Sequence, residues 1–132
     1  MQLMVSTDIA LRALIYLGGK RNVATIQEVA DATGASKTHL MKVVMALVAA
    51  KFLISERGRN GGVRLGLEPN EIIIGSVIKL METNISMVVC MKPGATVTCC
   101  PLLPKCKLVN VLQQAQAAFF DTLNQKTLAD IL

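Results

Sequence analysis

The 132-residue chain contains no tryptophan, one tyrosine, three phenylalanines and one histidine. With so few rings and an apolar fraction of 52%, its core has to be built from Leu, Ile, Val, Ala and Met, the side chains of packed helices. A chain of this length buries enough surface to fold without disulfide staples, so none is required of the four cysteines. Long apolar runs are also missing. Val43 to Ala50 stands between Lys42 and Lys51 and is too short to cross a bilayer, and Asp8 and Arg12 interrupt the N-terminal stretch where a secretory signal would be uniformly apolar. These absences predict a soluble cytoplasmic protein. Thiols stay reduced in that compartment, which favours metal binding or redox sensing over structural disulfides for clustered cysteines. There is no glycine-rich phosphate loop, no nucleophile paired with a base and no carboxylate pair in a plausible cleft. The chain is therefore not read as an enzyme.

What is present is a charge asymmetry. Residues 1–65 hold nine basic side chains against four acidic ones, whereas the remainder holds five of each, so the net charge of +5 lies entirely in the first half. A basic first half joined to a neutral second half fits a polyanion reader attached to a packing or assembly element.

Ser6-Thr7-Asp8 precedes Ile9, Leu11, Leu14, Ile15 and Leu17, which predicts a capped first helix ending at Gly18-Gly19. Thr25 and Glu28 have capping-box spacing and open a short helix that stops at Gly34. Ser36 opens a third helix with Leu40, Val43, Val44 and Leu47 on its apolar side. Two short helices joined by Thr33-Gly34-Ala35 form a helix-turn-helix whose second member is the recognition helix. Phe52–Glu56 and Val63–Leu67 then read as a hairpin, with Asn60-Gly61-Gly62 expected to supply positive backbone dihedrals. The expected fold is mostly α: a winged helix-turn-helix with a two-stranded β wing, followed by a long C-terminal dimerisation helix.

This plan assigns Lys37, Thr38 and His39 to base edges or adjoining phosphates, Ser36 and Lys42 to phosphate, and Arg59, on a glycine-rich tip, to the narrow minor groove. Arg57, Asn60, Gly61 and Arg64 complete the predicted DNA-contacting set. The plainer alternatives are a surface histidine without a role at His39 and an ordinary loop charge at Arg59.

Residues 68–89 read as a strand-like entry into a short helix, with Ile72, Ile73, Ile74, Val77, Ile78 and Met81 apolar. The following loop, CMKPGATVTCCPLLPKC from Cys90 to Cys106, gathers every cysteine of the chain. Leu108, Leu112, Ala115, Phe119 and Leu123 then mark one face of a helix of about five turns. One small domain could hardly cover that face, so a symmetric homodimer is expected, which also suits a palindromic operator. The alternative is an intramolecular core helix. The chain thus divides into a DNA-binding domain at 1–67, a short helix and cysteine-rich loop at 68–107, and a dimerisation helix with its C-terminal segment at 108–132.

TDIALRALIYL near the start, SKTHLMKVV in the third helix, RGRNGGVRL in the wing and the cysteine loop together resemble the Rrf2 superfamily of bacterial winged-helix regulators. Within it the likeness is to the nitric-oxide-sensing NsrR-like repressors, with the IscR-like regulators as cousins. The resemblance covers nearly the whole chain and implies a homodimeric repressor that holds an iron–sulfur cluster, 4Fe–4S in the first place and 2Fe–2S in the second, and releases palindromic operator DNA when the cluster is modified. The NsrR-like ligand pattern falls on Cys100, Pro104, Cys106, Lys107 and Leu108, with Cys90 as the first ligand. It also implies an aspartate from the start of the other subunit, and Asp8 in the TDIALRAL segment matches it. Arg12, one turn later, is placed to pair with Asp8 when the site is empty.

Two departures from the pattern stand out. The gap from Cys90 to Cys100 is long, and Cys99 beside Cys100 is an extra thiol, an alternative ligand or a redox group. Three thiolates and a weaker oxygen ligand suit iron and sulfide with one iron open to attack. Without the resemblance, Asp8 reads as a first-turn acid favoured by the helix dipole. A thiol-redox or zinc-dependent winged-helix regulator without a cluster stays open as the alternative function.

Overall fold

The computed structural model describes residues 2–98, 100–103 and 105–132. Cys99 and Pro104 therefore lie outside the described residues. The order of elements is α1 (Val5–Lys20), α2 (Ile26–Thr33), α3 (Lys37–Ala49), β1 (Leu53–Glu56), β2 (Gly62–Leu65), α4 (Ile74–Met81) and α5 (Lys107–Asn124), with single 3-10 turns at Pro69–Glu71, Val89–Met91 and Leu128–Ile131. This is the mostly helical winged helix-turn-helix with a long C-terminal helix that the sequence predicts. No helix among the described residues is long and apolar enough to cross a membrane.

Helix α1 is the central strut, packed against α2, α3 and α4 through Ala10, Ala13, Leu14 and Leu17, all at most 1% exposed. Its start differs from the expected hydroxyl cap. Met4 occupies the cap position without a side-chain bond. The carboxylate of Glu82, just past α4, instead accepts from the Met4 backbone N–H at 2.7 Å and from the Thr7 hydroxyl at 2.6 Å. A carboxylate here satisfies a donor that the helix leaves orphaned and complements the positive helix end. Its end differs as well, since the helix runs through Gly18 and Gly19 to Lys20 and closes at Arg21 in the left-handed region, φ 57°. Gly18 serves packing rather than termination: a Cβ there would lie 2.9 Å from Leu132 and 3.3 Å from Leu128, so its absence admits the C-terminal turn against α1.

Helix α2 opens with the predicted capping box, in which Glu28 N–H donates to the Thr25 hydroxyl and Thr25 N–H to the Glu28 carboxylate. Lys20, at the end of α1, adds an ion pair with Glu28 at 2.6 Å. The Lys20 bond, followed by the bonds from Thr25, holds the Glu28 carboxyl down at about 2 from its ordinary 4.5, and the same bond to Glu28 raises Lys20. A depressed acid favours the folded state above its unfolded value and loses that contribution as pH falls through the folded one. The expected result is a thermal midpoint that drops more steeply between pH 4.5 and 2 in the parent chain than in Glu28→Gln, which keeps a capping group but does not titrate. Parallel acid melts of the two proteins check it.

In the wing, Leu53 pairs with Leu65 and Glu56 with Gly62 in antiparallel register, and Ala24 bridges to Val63. The positive dihedral expected from Asn60-Gly61-Gly62 belongs instead to Gly58, φ 111°. Gly62 has another purpose, because a Cβ there would sit 2.1 Å from the Ala24 carbonyl oxygen and break the bridge that seats the wing on the domain.

The strand-like entry into α4 is present. Ile73 bridges Thr127, Ile74 N–H donates to the Lys126 carbonyl and Leu128 N–H to the Ile72 carbonyl. The chain thus returns after α5 and docks against α1 and the Pro69–Ile74 segment that leads into α4, with Leu128 fully buried.

Candidate DNA interface and cysteine site

Ser36 caps α3 by accepting from His39 N–H at 3.3 Å, which presents the first turn of the helix outward. Lys37, Thr38 and Lys42 are exposed on the side of α3 opposite the buried Leu40, Val43 and Leu47, while His39 is half-buried on the flank. Thr38 and Lys42 are four apart and share a helix face, with Lys37 beside them on the same exposed side, so the predicted phosphate- and base-reaching side chains project together. Arg57, Arg59 and Asn60 are exposed at the wing tip, and Gly61 is half-buried there. Arg64 stands apart. Its Nε donates to Glu56 at 2.6 Å and its Nη1 to the Leu65 carbonyl, so its charge is already matched across the two strands. Among the described residues no carboxylate pairs with Lys37, Lys42, Arg57 or Arg59. These four charges on one helix and one hairpin tip make a positive surface built for a polyanion.

Cys90 sits in the 3-10 turn Val89–Met91, which packs on α5, and Cys106 occupies the residue before α5 without making a capping bond. Cys100 lies between them, its carbonyl accepting from Leu103 N–H at 3.1 Å. All three are free and half-buried. The segment leading to Cys90 is tied to α5 by a hydrogen bond from the Gln116 side-chain amide to the Ile85 carbonyl. Cys90 and Cys106 are thereby both tied to α5, Cys106 at its N-terminus. Among the described residues no three Cys, His, Asp or Glu side chains converge as a metal site would. In kind the donors still suit iron and sulfide, since soft thiolates in a loop are the ligands such clusters take.

Asp8 and Arg12 form a two-point ion pair, Nε to Oδ1 at 2.9 Å and Nη2 to Oδ2 at 2.5 Å. The remaining nitrogen, Nη1, donates to the Thr33 carbonyl at 3.3 Å, in the last turn of α2. One guanidinium thus joins the aspartate of α1 to the turn of the helix-turn-helix, where a cation also suits the negative helix end. The sequence singled out Asp8 and Arg12 together, but nothing in it pointed to Thr33 or to Glu82, whose partners are 75 or more residues away.

A winged helix-turn-helix with a positive exposed face, followed by a cysteine loop on a long terminal helix, is the build of a DNA-binding regulator. The chain belongs to the Rrf2 family, described as an iron-dependent transcriptional regulator, which it matches over residues 3–132. It is 41% identical to the HTH-type transcriptional regulator NsrR of Bacillus licheniformis, over all of this chain and 92% of that protein. Identity to NsrR of Bacillus subtilis is 37%, over all of this chain and 90% of the relative. Among solved structures it is similar to IscR of T. potens, with TM-score 0.76 and 21% identity over 99% of this chain and 85% of that one. It is similar also to CymR, the global cysteine regulator of B. subtilis, with TM-score 0.74 and 25% identity over 99% of this chain and 95% of that one. The protein is a transcriptional regulator and not an enzyme.

Proposed function

We propose that this regulator is a cytoplasmic, homodimeric repressor that responds to nitric oxide through an iron–sulfur cluster and then releases a palindromic operator. Residues 1–67 read DNA, 68–107 hold the cluster and 108–132 supply the dimer helix. Cys90, Cys100 and Cys106 would hold the cluster, with Asp8 of the partner subunit as the fourth ligand and Cys99 as the substitute for Cys100. When bound, the cluster supplies iron that nitric oxide can reach. Full-length likeness to regulators named NsrR supports this choice of signal.

The single observation that carries the coupling is the Asp8–Arg12–Thr33 link. A carboxylate that leaves Arg12 removes half of the guanidinium's partners, and the rest of its bonding lies on the helix-turn-helix. Any change at Asp8 is therefore felt at the turn that sets the angle of α3. Dimerisation is supported by α5 itself. Of its 18 residues only Phe120 is buried, while Leu108 and Val111 are 59% and 58% exposed. An apolar stripe of this length on a small protein is stabilised by association.

The test is anaerobic purification with iron and sulfide analysis, then binding to a duplex selected from a random library before and after nitric oxide. The expected result is about four iron and four sulfide per chain for a 4Fe–4S cluster, or about two of each for 2Fe–2S, with a visible band that nitric oxide bleaches and weaker DNA binding afterwards. A chain that takes up no iron and sulfide after anaerobic reconstitution, or whose DNA binding ignores nitric oxide, overturns the proposal in favour of thiol or zinc regulation.

A further inference from the structure

The exposed face of α3 carries more than charge. Met41 and Met45 lie on it at 45% and 68% exposure, in line with Lys37, Thr38 and Lys42 at helical spacing. They open onto a groove of about 640 Å³ between α3 and the wing, whose walls include Val48 on the helix side and Gly58, Gly61 and Gly62 on the other. Both walls belong to the elements that carry the unpaired Lys37, Lys42, Arg57 and Arg59, so a polyanion seated by those charges covers the groove.

We propose that Met41 and Met45 read thymine: their side chains contact the C5-methyl groups exposed in the major groove of the operator. This rests on α3 being the helix that enters that groove. In the major groove the thymine methyl is the apolar feature that separates the base pairs, and an apolar side chain is its natural partner. Methionine suits the task because its unbranched thioether adapts to the surface it meets. Met41 begins the second turn of α3, within the N-terminal part that reaches base edges, and Met45 continues the line one turn further, about 6 Å along the axis. The contact adds sequence preference without adding charge, whereas the lysines around it add affinity without sequence preference.

The experiment selects duplexes from a random library with the anaerobically purified full-length protein, then replaces each thymine of the enriched duplex by uracil, which removes only the methyl. At one or more positions the replacement is expected to weaken the parent protein about four-fold, the effect of one methylene-sized burial. Met41→Ala or Met45→Ala should bind the thymine duplex more weakly by a similar factor, lose the thymine–uracil difference at that position, and keep the parent's salt dependence. Met41→Leu should restore the difference. Lys42→Ala should do the reverse, lowering the salt slope by about one and keeping the thymine–uracil difference. Both methionines are exposed, so matching thermal melts will show that the variants are folded. An enriched duplex with no thymine–uracil effect, or with the same effect in the parent and both alanine variants, overturns the inference and leaves the groove to a protein partner. If the parent enriches no duplex at all, the DNA-reading assignment of α3 falls first and this inference with it.

Discussion

If the proposed cluster is held as inferred above, a Cys106→Ser chain is expected to take up almost no iron and sulfide while keeping its fold. Cys106 precedes α5 in the cap position, is half-buried and free, and makes no capping hydrogen bond. Serine is among the best residues at that position, because its hydroxyl accepts from the orphan N–H groups of the first turn. The substitution therefore removes the sulfur and, for the helix, supplies a better cap. A loss of iron cannot then be charged to a loss of structure, as it could be for a cysteine within the core. Iron and sulfide per chain, read with the visible spectrum and a thermal melt of the same anaerobic sample, make the check. The expected pair of results is iron and sulfide near zero with a melting midpoint equal to or above that of the parent. Full iron content in Cys106→Ser would remove this residue from the ligand set and point to Cys99 and Cys100 as neighbouring ligands.

The second large effect is mechanical. Leu128→Ala should cost about 2–5 kcal/mol, the range for emptying a fully buried leucine site. Leu128 is completely buried, its N–H donates to the Ile72 carbonyl at 2.8 Å, and its side chain packs over Gly18 of α1. It is the pin that holds the end of α5 to the strut of the DNA-binding part. The cavity left by alanine has few ways to collapse, since α1 is backbone at Gly18 and α4 is held by the Ile73–Thr127 bridge. Urea unfolding should show a lower midpoint with an unchanged slope. If α5 also carries the dimer, the same variant at low protein concentration should bind DNA less cooperatively. A change under about 1 kcal/mol would mean that the C-terminal turn is not docked as described.

The helix-turn-helix was legible before the fold because its signals are local. Thr25 and Glu28 are three residues apart and make the capping box, Ser36 caps the helix that follows it, and Gly34 takes the positive dihedral, φ 70°, that ends α2. The buried faces of α3 and α4 follow the apolar spacing of their own residues. The wing was legible as a hairpin but not in its detail. The positive dihedral fell on Gly58, while Gly62 answers to Ala24, a neighbour that the spacing of the hairpin does not contain. Gly18-Gly19 misled for the same reason. A glycine pair reads as a stop when only the chain beside it is considered, yet Gly18 is small to admit residues 128–132, more than 100 positions later.

By itself, then, the sequence determined the helices, the hairpin, the positive first half and the gathering of cysteines between reader and terminal helix, since capping, periodicity and charge act over a few residues. Tertiary structure decided that Glu82 caps α1, that Arg12 ties Asp8 to Thr33, that the C-terminal turn locks onto Gly18, and that Met41 and Met45 stand on the open face of α3. Each of these depends on which surfaces meet. That is settled by the packing of whole helices, and no short stretch of the chain contains it.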